Sequence, residues 1–63
     1  MTFKQELEHV KFLITRLQFM KVQGSYENNY NSARDILRNL RKDLQIIVEM
    51  EEQEEEQNND NSN

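Results

Sequence analysis

The sequence predicts an all-α fold: an antiparallel helical hairpin of two long helices, dimerising into a four-helix bundle. Three observations carry that expectation. The 63 residues contain no proline and a single glycine, Gly24, so two long helices joined at one turn are the natural organisation. Apolar residues recur in alternating steps of four and three on both sides of that glycine, the spacing of a heptad seam. The two seams also stay in register when the chain is folded back on itself.

Helix 1 is placed at about 3–23. Thr2 with Gln5 three residues later is a capping-box pattern, in which each side chain bonds the other residue's backbone N–H. Phe3, Leu7, Val10, Ile14 and Leu17 form the seam, and Leu13 and Met20 widen it on one side. Gly24 suits the left-handed position that follows many helix ends. Helix 2 is placed at about 26–53. Its Asn-rich start, "SYENNYNSA", reads as a loop by propensity. Yet Tyr26, Tyr30, Ala33, Leu37, Leu40, Leu44 and Ile47 keep the four-three alternation through it, with Ser25 as the expected N-cap. Folding about Gly24-Ser25 brings Leu17 to Ala33, Ile14 to Leu37, Val10 to Leu40, Leu7 to Leu44 and Phe3 to Ile47. Each pair of positions sums to 50 or 51, so all five layers match.

Residues 1–53 thus form the hairpin domain and 54–63 an acidic tail, expected to be disordered. Charge is segregated along the chain. Residues 1–48 hold all eight Lys and Arg against five acids, whereas 49–63 hold seven acids and no base, giving −4 overall. A solubilising role, competition with phosphates for the arginines, and mimicry of a nucleic-acid backbone are three readings of the tail that the sequence leaves open.

A chain this short buries only about 60% of its unfolded surface, and proteins of this size draw on disulfides, metals or partner subunits for stability. Cysteine is absent, so disulfides and thiolate metal sites are excluded, and self-association is the expected source. Ile36, Ile46, Val48 and Met50 lie outside the seam of helix 2. Phe12 and Phe19, a heptad apart, lie roughly opposite Phe3 on helix 1. Such residues form either a second packing surface within a homodimer or an aromatic docking face for a larger protein.

Little in the sequence suggests catalysis: there is no cysteine nucleophile, no Gly-rich phosphate loop and no serine with a histidine base. No cofactor is expected. Glu6-x-x-His9 has the carboxylate–histidine spacing of di-iron bundles, but helix 2 has no carboxylate at a seam position to complete such a site, so no metal is expected either. Arg34, Arg38 and Arg41 follow an i, i+4, i+7 ridge with Lys42 beside it, while Lys4 and Lys11 lie a heptad apart. These bases are read either as helix-surface pairs, Glu8 with Lys4 and Lys11 and Asp35 with Arg38, or as a footprint for nucleic acid. No run approaches the length of a membrane span, and a cytoplasmic location is expected. The Asn- and Lys-rich composition points to an AT-rich source such as a phage or other mobile element.

The heptad layers, the likeness to a dimeric hairpin and the acidic end resemble the architecture of the plasmid-encoded Rop family, which implies RNA binding by analogy. The hairpin also resembles small regulators of Gram-positive sporulation signalling. Ser32-Ala33-Arg34-Asp35 lacks the Gln-Glu-Leu core of their phosphatase motif and sets the aspartate one position early, so that activity does not carry over. The functional expectation is a non-enzymatic regulator or inhibitor that docks a larger protein, with Phe12, Phe19 and Met20 as anchors and Arg34, Arg38 and Arg41 steering approach. The alternative is a dimeric RNA- or DNA-binding regulator that uses the Lys/Arg surface, with the tail as competitor.

Overall fold

The computed structural model describes residues 1–61, and beyond residue 55 only the course of the helix. The fold is all-α: helix α1 (Phe3–Gln18), a single 3-10 turn (Gly24–Tyr26) and helix α2 (Glu27–Asn61), with no strand among the described residues. Thr2 caps α1 as its spacing predicts. Its backbone N–H donates to Gln5 Oε1 at 2.9 Å, and the Gln5 N–H donates back to Thr2 Oγ1 at 3.1 Å.

The joint differs from the sequence expectation. α1 stops at Gln18, five residues before the predicted end, and Gly24 does not occupy the left-handed region, since no described residue has positive φ. Other groups meet the terminal carbonyls instead. Phe19 and Met20 donate backbone bonds to Arg16 and Leu17 at 3.1 and 3.2 Å, tightening the last turn, and the Tyr30 hydroxyl donates to the Leu17 carbonyl at 2.7 Å. With its last turn satisfied in this way, α1 needs no glycine cap. Ser25 lies inside the 3-10 turn rather than capping α2, and Tyr26 N–H bonds Gln23 O at 3.2 Å as the chain winds into the helix.

α2 includes the Asn-rich stretch, so the seam periodicity prevails there over local propensity. It also continues through residues 54–61, where the sequence predicts an unstructured tail. Adding glutamates to an existing helix requires no new nucleation, and Glu is a good helix former. Residues 62 and 63 of that tail lie outside the described residues.

The two helices pack side by side. Tyr30 meets Leu17 at the joined end, and Thr2, Phe3 and Glu51 border one hollow at the other. Between these ends Leu7, Val10, Ile14, Leu44 and Val48 are buried, with Leu37 and Ile47 half-buried against them. Val48, which the spacing places off the seam, is therefore core. Phe3, Ala33 and Leu40, expected in the layers, are exposed, Leu40 by 43%. The rotation of α2 explains the exchange. Leu44 and Val48, one turn apart, point at α1, which swings Leu40 onto a flank that two helices alone leave uncovered. Phe3 sits where α1 begins and has only the far end of α2 beside it.

Candidate interaction surfaces

Around the shared core, the helical repeat of about 100° per residue sorts the remaining side chains onto three surfaces. The first is an apolar flank along one side of the helix pair. α1 contributes Leu13, Leu17 and Met20, and α2 contributes Ile36, Leu40, Ile47 and Met50. Leu13, Leu17 and Ile47 are half-buried, whereas Ile36 is 66%, Met50 59% and Met20 51% exposed. Asp43 stands within this flank on α2, and Arg16 stands at its outer edge on α1.

The opposite side of the pair is basic. Lys11, Arg38, Arg41 and Lys42 border a shallow hollow of about 570 Å³ with Asn39, Gln45 and Ile46. Arg34 lies a turn earlier. Its guanidinium sits 5.9 Å from the Tyr30 ring centroid, and its Nε, buried without a hydrogen-bond partner, is 3.8 Å from Asp35 Oδ1. That contact replaces the Asp35–Arg38 pair expected from spacing. Lys11 pairs with Glu8 at 3.7 Å as expected, whereas Lys4 does not. Arg38, Arg41 and Lys42 form no ion pair among the described residues. The Lys11–Glu8 pair is exposed and contributes at most about 1 kcal/mol, so the ridge is held by helix geometry rather than by salt bridges.

The third surface is the back of α1, turned away from α2. Phe12 and Phe19 stand there 58% and 83% exposed, and the Arg16 guanidinium lies 5.6 Å from the Phe12 ring centroid. That cation–π contact holds Arg16 between the aromatic back and the apolar flank. Of the predicted partner-binding residues, Phe12 and Phe19 thus share one surface. Met20 falls on the apolar flank instead, and the three arginines lie across the molecule from both. Glu6 and His9, a heptad before Leu13 and Arg16, continue that flank's side toward the start of α1 and border a hollow there with Met1 and Gln5, and the described residues contain no cluster of three potential metal ligands.

Sequence spacing found the basic ridge and the Phe12–Phe19 pair. It missed the Tyr30 contact with Leu17 and the division of the remaining apolar residues between flank and back. The missing signal was the rotation of α2 about its axis, which the four-three pattern leaves free over one position. No described helix is long and apolar enough to cross a membrane. The chain matches no known family model, no curated protein and no solved structure.

Proposed function

We propose that this chain is a non-enzymatic interaction protein: a helical hairpin that self-associates into a four-helix bundle and regulates or inhibits a larger protein by docking the back of α1 onto it. The observation that carries the reading is the ratio of buried to exposed apolar residues. Five hydrophobic residues are buried, whereas eleven large ones are exposed, too many for a lone pair of helices in water. Phe12 and Phe19 are the anchors for the larger partner. Aromatic rings with few rotatable bonds supply large contact areas at low entropic cost, and Arg16 beside them adds the other residue type that dominates interface energetics. Arg38, Arg41 and Lys42 across the molecule steer approach toward acidic surfaces.

A photo-crosslinking residue at Phe19 in the full chain, expressed in its source cell, tests this. The expected result is one larger crosslinked protein that disappears when Phe12→Ala is added. Crosslinks between copies of this chain alone would assign the aromatic back to self-assembly and refute the docking role.

A second reading has its own observation in Arg38, Arg41 and Lys42, which share one face and make no ion pair among the described residues. It makes the bundle an RNA- or DNA-binding regulator, with the acids of the tail competing for the same bases. Titrating duplex DNA and structured RNA at low and physiological salt decides between them. Binding that weakens steeply with salt and is lost in Arg38→Gln with Arg41→Gln favours nucleic acid, and its absence removes that class.

A further inference from the structure

We infer that a second copy of this chain docks on the charged ridge of α2, laid antiparallel along it by a two-fold axis at Gln45, with Arg38 and Arg41 of each copy against Glu52 and Glu49 of the other. The occupant is argued from charge and spacing on α2 alone, so the inference stands apart from what the apolar flank or the back of α1 meets.

The ridge does not end at its last arginine. At about 100° per residue, Arg38, Arg41, Gln45, Glu49 and Glu52 all lie within about 40° of one line along α2. Steps of three, four, four and three residues separate them, so the spacing reads the same from either end and is centred on Gln45. The charge reverses at that centre, positive before Gln45 and negative after it. The Gln45 Nε2 donates to Glu49 Oε1 at 3.2 Å, which holds the first acid on the same ridge.

Within one copy the ridge gains nothing from its own charges. Arg41, Glu49 and Glu52 have no opposite charge three or four residues away, whereas Arg38 with Arg41 and Glu49 with Glu52 place like charges at that separation. All four are exposed and make no ion pair among the described residues. Nor do the two halves meet within the chain. α2 is unbroken through Asn61, which holds Arg41 and Glu49 about 12 Å apart along its axis and Arg38 and Glu52 about 21 Å. Any macromolecular counter-charge therefore comes from outside the chain.

An antiparallel second copy supplies both halves at once. A two-fold axis perpendicular to α2 at Gln45 sets α2 against α2 with its ends exchanged, so residues equally far from Gln45 on either side come opposite each other. Arg41 then meets Glu49 and Arg38 meets Glu52, each twice, while the two uncharged Gln45 side chains face across the axis. A parallel arrangement sets arginine on arginine and glutamate on glutamate, which repel. A nucleic-acid strand along the ridge satisfies only the half before Gln45 and is repelled by the half after it. Exposed ion pairs contribute little each and are screened by salt, so the contact orients two copies without holding up either fold.

The full chain has no cysteine, so single thiols report the geometry. Gln45→Cys lies at the axis, within disulfide reach of its counterpart, whereas Asn31→Cys lies about 42 Å from its counterpart along the helices. Both positions are half-buried in the single chain, which makes their thiols comparable, and reaction with a small thiol reagent scales out any remaining difference. Under mild oxidation at low salt, Gln45→Cys should form the disulfide-linked dimer about tenfold faster than Asn31→Cys, and high salt should remove most of that advantage. Glu49→Lys with Glu52→Lys, made in the Gln45→Cys chain, should abolish it. Adding Arg38→Glu with Arg41→Glu reverses the whole ridge, restores both its self-complementarity and the net charge of the chain, and should recover the rate. All four exchanged residues are exposed, and circular dichroism checks that each variant stays helical. Equal rates at the two thiol positions, indifference to salt, or a reversed ridge no faster than the all-basic one overturns the inference. None of these results bears on the crosslink at Phe19, so the docking of α1 stands or falls separately.

Discussion

The two long faces of the helix pair share one core and the same two helices, yet they meet water differently. On the basic face, Lys11, Arg38, Arg41 and Lys42 are exposed and carry charged ends that water solvates, so the face can stand as it is. On the apolar face, Leu13, Ile36, Leu40 and Met50 have no polar end to offer. The difference separates two roles that composition alone merges. Under the proposed function, association energy would reside on one face, and electrostatic steering with little intrinsic stabilisation on the other. Substitutions should therefore differ in kind as well as size between the faces, and the core beneath them sets the scale.

The largest expected effect lies in that core. Leu44→Ala removes a buried side chain at the centre of the five-residue cluster, and such truncations cost about 2–5 kcal/mol. At about 0.05–0.15 kcal/mol per residue, a chain of this length has total stability of the same order. Urea unfolding should show the variant largely unfolded at concentrations where the parent chain is folded. Because Leu44 supports both faces, it calibrates the comparison. If Leu44→Ala were no worse than Leu40→Ala, the distinction between core and flank would fail.

Next in size is Tyr30→Phe, which deletes the hydroxyl that donates to the Leu17 carbonyl at 2.7 Å. The loss should be about 0.5–1.5 kcal/mol, read as a lower urea midpoint with unchanged slope. The substitution loosens the joined end without altering either face, so the dependence of unfolding on protein concentration should persist. Loss of that dependence would mean that the joint, and not the flank, governs association.

How much of this was legible beforehand depends on which physical signal each feature leaves in the chain. The helical class, the Thr2–Gln5 cap and the helical reading of the Asn-rich stretch follow from spacing and local hydrogen-bond chemistry, which a sequence displays directly. Leu7, Val10, Ile14 and Leu44 were also legible as core, because they sit at the middle of each seam, where a modest rotation cannot expose them. Val48 and Leu40 exchanged places because they stand at the edges of the stripe on α2, where a rotation by a fraction of one position decides burial. The end of α1 was misplaced because the group that satisfies it, the Tyr30 hydroxyl, comes from thirteen residues away, and no local pattern announces such a partner. Among the site residues, the Arg34–Arg38–Arg41 ridge was visible as a periodicity. The assignment of Met20 to a different surface from Phe12 and Phe19 required the direction in which α2 lies.

Gly24→Ala has a smaller effect, and its sign is informative. A glycine held in the left-handed region would lose stability on gaining a Cβ, but Gly24 has no positive φ, and a Cβ there would meet nothing within 4 Å. Removing the conformational freedom of glycine from the unfolded chain should therefore stabilise the fold by about 0.4–1 kcal/mol. Thermal unfolding should shift upward by a few degrees, and a downward shift would restore the left-handed cap that the sequence suggests.

The smallest effect returns to the two faces. Arg38→Gln with Arg41→Gln changes exposed groups that make no ion pair among the described residues, so stability should move by less than about 0.5 kcal/mol. The matched pair on the other face, Ile36→Gln with Leu40→Gln, alters side chains that are also exposed in the single chain, at 66% and 43%. A monomer would be almost indifferent to both pairs. An associated chain would not, because the second pair places two amides in a dry contact where their hydrogen bonds to water are lost. Unfolding curves recorded at two protein concentrations a hundredfold apart distinguish these cases. The arginine pair should shift with concentration as the parent chain does, and the flank pair should lose that shift. Equal behaviour of the two pairs would mean that the apolar face, like the basic one, is complete in water.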